Sequence, residues 1–124
     1  MEEFIETEKE KYKKLGYIEC PAFNYEKIYF NKHGLRHLTR KNGIPRPLLE
    51  QRRKFMLLRY VPQILTDLEI IKSISVSGDV CFWTLEQKGY ERTLVIIIRQ
   101  VRKEPKHFYS VMDRKNVGSQ NVIP

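Results

Sequence analysis

The sequence predicts an α+β fold in which N-terminal helices pack on a four-stranded antiparallel sheet. Three observations predict it. Apolar side chains recur at helical spacing through residues 46–67, and β-branched residues alternate with polar ones through much of residues 69–113. Residues 94–98 read LVIII, an uninterrupted apolar run typical of a strand that is buried on both faces. The length of 124 residues is the usual size of one domain.

The N-terminal part of the chain contains three predicted elements. Residues 2–14 are expected to form a charged helix that Gly16 ends, because glycine commonly follows the last turn of a helix. Residues 27–30 form a short β-prone run. Asn31 then suits the N-cap position of a helix over residues 32–41, because its side chain can accept hydrogen bonds from the free backbone N–H groups of the first turn.

A longer helix is predicted over residues 46–67. Asn42 and Gly43 end the helix before it, since both residues readily take left-handed turn conformations. Pro47 suits the first turn of the new helix, where a missing N–H costs little. Pro62 lies inside the helical pattern and is expected to kink the helix or to end its regular part.

Four strands and their turns are predicted after the helices. Turn signals at Gly78 and Gly89, and a loop that contains Pro105, separate the strands. The chain is therefore divided into an N-terminal helix and linker at residues 1–26, a core at 27–114 and a flexible tail at 115–124. The predicted strands cover residues 69–77, 80–87, 93–101 and 107–113.

Composition limits the cofactors and the location of the protein. Cys20 and Cys81 are far apart and show no metal-binding spacing with histidine, so neither a metal site nor a disulfide is expected. No apolar run approaches the roughly 20 residues that cross a bilayer. The first 14 residues lack the apolar segment of a signal peptide, which favours a cytoplasmic location without membrane association. No cofactor is predicted.

The positive charge of the chain is concentrated in one segment. The net charge is +8, and residues 32–59 alone carry nine basic and one acidic side chain. A solvated surface usually mixes both signs. A concentrated positive potential attracts phosphates and raises the rate at which they associate. The segment is therefore predicted to bind a polyanion, with RNA as the favoured partner.

Candidate catalytic residues lie in the helix after Asn31. His33, Arg36, His37 and Arg40 are spaced i, i+3, i+4 and i+7, so they share one helical face. Lys41 flanks this face. Histidine is the usual general acid or base near neutral pH, and arginine stabilises phosphate charge. The alternative is a solvated basic face that carries two histidines by chance.

Further candidates lie outside that helix. Arg46, Arg52 and Arg59 are predicted to hold an RNA backbone, although they could equally be boundary residues that bury only their stems. Arg99 follows the LVIII run and needs an anionic partner, which is either a carboxylate or a bound phosphate. If strands 93–101 and 107–113 form a hairpin, Ser110 or Tyr109 is expected to lie near Arg99.

Missing motifs narrow the possible chemistry. The sequence has no phosphate-cradling glycine loop, no GxSxG and no HExxH, which argues against nucleotide-dependent and zinc chemistry. Metal-free phosphodiester transfer in RNA stays open. In that reaction the 2′-hydroxyl is the nucleophile, so the protein supplies only a base, an acid and cations for the developing charge.

The order of these elements resembles the barnase–EndoU–colicin–RelE nuclease superfamily. A short strand, the segment NKHGLRHL, the helix PLLEQRRKFMLLRYVPQIL and strands that contain TLVIIIRQV and HFYSVM carry the resemblance, over roughly residues 27–114. The branch most similar to this chain is the small nuclease domains of phages and mobile elements. The resemblance implies a metal-independent endoribonuclease, often a toxin held by an antitoxin or immunity protein. It also implies that His37 corresponds to the histidine of the helix start, and that Arg99 and Ser110 correspond to polar residues at the sheet edge.

Three functions are therefore weighed. The first is an RNA-cleaving enzyme with His37, His33, Arg36, Arg99 and Ser110 in catalysis and Arg40, Lys41, Arg46, Arg52 and Arg59 on the RNA. The second is a non-catalytic module that binds nucleic acid or a protein partner by the same basic face. The third is an accessory protein whose charge only keeps it soluble.

Overall fold

The computed structural model describes residues 1–116 and confirms the α+β class. Helices dominate the first 67 residues and strands the remainder. A short 3₁₀ turn over Pro21–Phe23 links the first two strands. The helices are α1 (Glu2–Lys13), α2 (Lys32–Thr39), α3 (Leu48–Leu58) and α4 (Val61–Asp67). The strands are β1 (Tyr17–Cys20), β2 (Glu26–Tyr29), β3 (Arg40–Lys41), β4 (Ile44–Pro45), β5 (Ser73–Ser77), β6 (Val80–Lys88), β7 (Arg92–Val101) and β8 (His107–Lys115).

The sheet differs from the predicted four-stranded antiparallel arrangement. It has six strands in the order β1-β2-β8-β7-β6-β5, and it is mixed because β2 runs parallel to β8. The four predicted strands form the antiparallel part, with the first shortened to Ser73–Ser77. Strands β1 and β2 extend the sheet through the pairing of Tyr29 with His107. This parallel pairing joins residues that are 78 positions apart, so no local pattern in the sequence indicates it.

The LVIII run forms an inner strand, as predicted. Strand β7 lies between β6 and β8 and pairs with both along most of its length. Ile96 and Ile98 are fully buried, together with Phe108 and Val111 of β8. Because β7 is paired on both edges and buries these side chains, it holds the residues near its end, including Arg99, in fixed positions.

Helix α1 and strand β1 share the core with residues 27–116. Tyr12 is only 2% exposed, and its hydroxyl donates a 2.7 Å hydrogen bond to the carbonyl oxygen of Asn31. Glu8 accepts two hydrogen bonds from the guanidinium of Arg59, the residue directly after α3. The predicted linker at residues 17–26 is instead a strand, a 3₁₀ turn and the start of β2, in which Cys20 is fully buried. The predicted tail overlaps the end of β8 at Lys115, and residues 117–124 lie outside the described part of the chain.

Pro62 divides the predicted long helix. Helix α3 ends at Leu58, and α4 begins at Val61 with Pro62 in its first turn, where the missing N–H costs least. The first of these helices begins after Pro47, so Arg46 precedes it instead of belonging to it. Phe55 of α3 and Leu65 of α4 are fully buried against the sheet.

Helix α2 begins as predicted and ends two residues early. The side chain of Asn31 accepts hydrogen bonds from the backbone N–H groups of His33 and Gly34, at 3.1 and 3.4 Å. Helix α2 stops at Thr39 because Arg40 and Lys41 pair with β4 as a small hairpin. Asn42 and Gly43 form its turn, both at positive φ. Among residues 1–116, no helix is long and apolar enough to cross a membrane.

Candidate active site

A basic pocket lies where helix α2 meets strands β7 and β8. Its volume is about 390 Å³ and it opens to solvent. Six of the residues predicted for the site line it. The lining residues are His33, Arg36, His37, Arg40, Lys41, Asn42, Gly43, Arg99 and Tyr109.

Helix α2 presents His33, Arg36 and His37 on one face, as the spacing predicts, and Arg40 follows directly after the helix. Leu38 on the opposite side is 1% exposed, and Leu35 packs against the core, so the polar residues must point outward. The N-cap at Asn31 fixes the start of the helix. The turn at its other end folds Lys41 back over the pocket, and Arg40 donates a 2.7 Å hydrogen bond to the carbonyl oxygen of Gly43.

An irregularity in β8 brings Tyr109 into the pocket. Ser110 pairs with Ile97 and Phe108 pairs with Ile98, so Tyr109 is an extra residue with no partner in β7. Such a bulge locally re-aims a side chain. The Tyr109 ring lies 4.5 Å from the His37 ring, centroid to centroid, and the guanidinium carbon of Arg99 lies 4.5 Å from the Tyr109 ring centroid. Tyr109 therefore supports both a histidine and a cation.

His107 holds Arg99 and is absent from the predicted set. The Nε atom of Arg99 donates a 3.0 Å hydrogen bond to Nε2 of His107, which must be unprotonated to accept it. The other ring nitrogen bonds the backbone of Pro105, which fixes the tautomer. His107 is 3% exposed and pairs with Arg99 across the β7–β8 hairpin. The loop at residues 102–106 joins two strands of a hairpin, so pairing the strands across it places His107 opposite Arg99. That pairing is the signal in the sequence that indicates His107.

The three histidines share a strongly positive environment. Burial, followed by repulsion from Arg46, Lys54, Arg99 and Lys41, lowers the pKa of His37 to about 4. Burial and the charge of Arg99 lower the pKa of His107 to about 4 as well. The pKa of the more exposed His33 is also lowered, mainly by burial and then by Arg99. At neutral pH the imidazoles of His37 and His107 are therefore neutral, and that of His37 can accept a proton.

Four predicted site residues lie elsewhere. The hydroxyl of Ser110 is buried, without a hydrogen-bond partner among the described residues, and Ser110 does not line the pocket. Arg46 is buried and structural: it donates to the carbonyl oxygen of His37 at 3.0 Å and to Glu50 at 2.6 Å. Arg52 and Arg59 face α1, where both guanidinium groups lie over the ring of Phe4.

The depressed histidine pKa values predict that acid destabilises the fold. A histidine with a folded-state pKa near 4 and an unfolded value near 6.5 binds more protons when unfolded, so stability is lost as pH falls from 6.5 to 4. For the buried His107 this loss approaches about 3 kcal/mol, at about 1.4 kcal/mol per pKa unit. It should be smaller for His37, whose ring is partly exposed.

Urea unfolding measured at pH 4, 5, 6 and 7 checks this expectation. The variant His107→Gln should show a flatter dependence of the unfolding free energy on pH than the parent protein. His33→Gln is the matched control, since that ring is exposed and should contribute less. A His107→Gln variant with the parent's pH dependence would contradict the assignment.

Among residues 1–116, no three His, Cys, Asp or Glu side chains lie close enough together to hold a metal ion. Cys20 and Cys81 are both free thiols. The pocket is built instead from imidazoles, guanidinium groups and one lysine, together with Tyr109 and the turn at Asn42 and Gly43. Groups of this kind bind anions and transfer protons.

Comparison with known proteins provides no relative for this chain. No protein-family model, no curated protein and no solved structure matches it. The function is therefore argued from the geometry and chemistry of the pocket.

Proposed function

We propose that the protein is an endoribonuclease that cleaves RNA without a metal ion. One observation carries the proposal: a neutral imidazole, His37, lies in an open pocket with two arginines that have no carboxylate partner among the described residues. Those arginines are Arg36 and Arg99. A solvent-open pocket that holds guanidinium groups without a carboxylate partner beside a proton acceptor suits a phosphodiester whose own 2′-hydroxyl attacks the phosphorus.

The proposed reaction balances with groups that the pocket contains. His37 accepts the proton of the 2′-hydroxyl as the new bond from O2′ to phosphorus forms. The bond from phosphorus to O5′ breaks, and His33 in its protonated form gives a proton to the leaving oxygen. The products are a 2′,3′-cyclic phosphate and a free 5′-hydroxyl. The opposite assignment of the two histidines uses the same atoms.

Arg99 is suited to stabilise the charge that grows on the phosphorane. Its guanidinium is held by the hydrogen bond to His107 and by the ring of Tyr109, so it loses little freedom when phosphate binds. Preorganised donors of this kind usually supply the largest part of transition-state stabilisation. His107 acts through Arg99 and is a positioning residue. Arg36 projects from α2 as a second cation.

The exposed cations of the hairpin and of α2 are suited to hold the RNA backbone. Arg40 and Lys41 lie at the rim of the pocket, and the chain outside it shows a more even balance of charges. The resemblance to the barnase–EndoU–colicin–RelE superfamily supports the same activity. It adds the proposal that the protein acts as a toxin of a phage or mobile element, controlled by an antitoxin.

The decisive experiment combines cleavage with product analysis. Purified protein is incubated in EDTA with labelled cellular RNA, in the presence and absence of ribosomes. We expect cleavage products that end in a 2′,3′-cyclic phosphate. The same sequences with 2′-deoxyribose should bind and stay intact, because they lack the nucleophile. RNA that is bound tightly but left uncut under both conditions would refute the enzyme and leave a nucleic-acid-binding module.

The basic pocket also predicts how binding depends on salt. Each phosphate contact with a single strand contributes about 0.7 to the slope of log affinity against log salt concentration. A triple variant in which glutamine replaces Arg36, Arg40 and Lys41 should therefore reduce that slope by about 2. The control is glutamine at Lys72, Lys88 and Lys103, which removes the same charge from exposed positions outside the pocket. Equal losses in the two triple variants would show that only net charge matters.

A further inference from the structure

A second basic groove opens from the candidate active site and runs between helices α1 and α2. It shares His33, Arg36 and Arg40 with the catalytic pocket, so the two are continuous. Lys9 and Lys13 of α1 line its other wall, and Lys32 lies at its α2 side. Five lysines and arginines therefore surround the groove, against one carboxylate, that of Glu6.

The lysines of α1 are only weakly neutralised by their own helix. Lys9 contacts Glu6 at 3.2 Å and Lys13 contacts Glu10 at 3.3 Å. Both carboxylates are well exposed, at 70% and 65% of their side-chain surface. Exposed pairs of this kind contribute little and are screened by salt, so an incoming phosphate can compete for the lysines.

The cations are arranged as two facing rows. Lys9 and Lys13 are four residues apart on α1 and follow one helical ridge. Arg36 of α2 and Arg40, directly after α2, line the opposite wall. Residues at this spacing have Cβ atoms about 5–6 Å apart. That spacing is comparable to the distance between successive phosphates in an extended strand.

The groove is fixed in the folded protein. The hydroxyl of Tyr12 on α1 donates to the carbonyl oxygen of Asn31, directly before α2, and the ring of Tyr12 packs edge-on against Phe30. Glu8 ties the same helix to Arg59, directly after α3. The two rows of cations are thus held in register before any ligand binds, which lowers the entropic cost of binding.

We propose that the groove is the path of a single RNA strand beyond the scissile phosphate, with its phosphates held between Lys9 and Lys13 on one side and Arg36 and Arg40 on the other. The inference rests on the proposed RNA-cleaving function and adds a substrate class to it. The substrate is a single-stranded segment several nucleotides long, and α1 is part of the RNA-binding surface. A dinucleotide fills only the catalytic pocket.

The test measures affinity and needs no cleavage. Fluorescent 2′-O-methyl oligonucleotides of two and ten nucleotides, which lack the attacking hydroxyl, are titrated with protein over a range of salt concentrations. In the variant Lys9→Gln/Lys13→Gln, the salt slope for the ten-mer should fall by about 1.4, corresponding to two lost contacts. Affinity for the dinucleotide should stay unchanged.

A control on the same helix distinguishes the groove from net charge. Lys11→Gln/Lys14→Gln removes the same charge from exposed positions at the end of α1 that do not line the groove, and Glu8, which loses its contact with Lys11, keeps Arg59. This control should leave both oligonucleotides unaffected. An unchanged slope in the Lys9/Lys13 variant, or an equal fall in the control, would overturn the inference. A failure of the proposed cleavage activity is detected in a separate assay, because unmodified RNA would then stay intact with the wild-type protein.

Discussion

Replacing His37 with alanine should lower the rate of RNA cleavage by a factor of about 10²–10⁴, while RNA affinity changes little. The reason is that the His37 imidazole is neutral at pH 7 and lies on the pocket wall with Arg36 and Arg99, where a phosphate would bind. The side chain makes no ion pair, so its loss removes a proton acceptor without releasing a buried charge. Single-turnover cleavage of a labelled oligonucleotide, together with its Kd, gives the two quantities.

The matched variant is His33→Ala, one helical turn earlier on the same face. If His33 supplies the proton to the leaving group, its loss should also slow cleavage, and an RNA with a better leaving group should restore part of the rate of this variant only. A His37→Ala protein that cleaves as fast as the parent would exclude His37 from the chemistry.

The pH dependence gives a further readout of the same assignment. The profile of kcat/KM reports the pKa values of the free enzyme. A base with a pKa of about 4 keeps its activity well below pH 6.5. Because the pKa of His33 is also lowered, the requirement for its protonated form reduces kcat/KM as pH rises toward neutrality. The optimum should therefore lie on the acid side of pH 6.5. The limb at low pH should be weaker in His37→Gln, where only His107 is left to protonate near pH 4.

The second large effect is expected at Gly34, inside α2. A Cβ atom there would lie less than 3.0 Å from the hydroxyl of Tyr12, the carbonyl oxygen of Phe108 and the ring of Phe108. One of these atoms belongs to the backbone of β8 and cannot move alone. Gly34→Ala should therefore destabilise the protein by about 1–3 kcal/mol, as overpacking usually does. In an open helix the same change would instead stabilise by about 1 kcal/mol.

Urea unfolding of Gly34→Ala checks the sign as well as the size of the effect. Lys32→Ala is the control, because it lies on the same turn of α2 and is exposed. Where the Gly34 variant stays folded, α2 must shift away from β8, which separates His37 from Tyr109. Cleavage should then fall although no polar side chain has been removed. A Gly34→Ala protein at least as stable as the parent would show that α2 does not pack as described.

The parts of the fold that depend on local pattern could be predicted from the sequence. The face of α2, the N-cap at Asn31 and the inner strand β7 each follow from the spacing of a few neighbouring residues. Pro62 marked the division between α3 and α4 for the same reason. In each case the physical cause, which is a helical period, a capping oxygen or a missing N–H, lies within one turn or one strand.

The remaining features depend on pairs that are distant in the chain. The strand β1 is four residues long and has one fully buried residue, so its pattern is too short to recognise. No local signal shows that Arg59 meets Glu8, 51 residues away, or that Arg46 turns its guanidinium to the backbone of His37. The bulge at Tyr109 interrupts the alternation of side chains along β8, and that alternation is what would predict the pairing register of β7 and β8. Charge alone was the basis for predicting that Arg46, Arg52 and Arg59 bind RNA, and these three arginines contact other parts of the protein instead.

The parallel pairing of β2 with β8 has a consequence for the order in which the molecule is made. Seven of the nine residues that line the pocket come from α2 and the turn after it, the other two are Arg99 and Tyr109, and His107 supports Arg99. Among residues 1–116, β8 is the strand that pairs β2 with the part of the sheet that follows α4. A ribosome that has released residues 1–98 has produced the basic helix without the arginine, the supporting imidazole or the tyrosine ring. If the protein is the proposed ribonuclease, a growing chain would bind RNA before it could cut RNA, because Arg99, His107 and Tyr109 are made last.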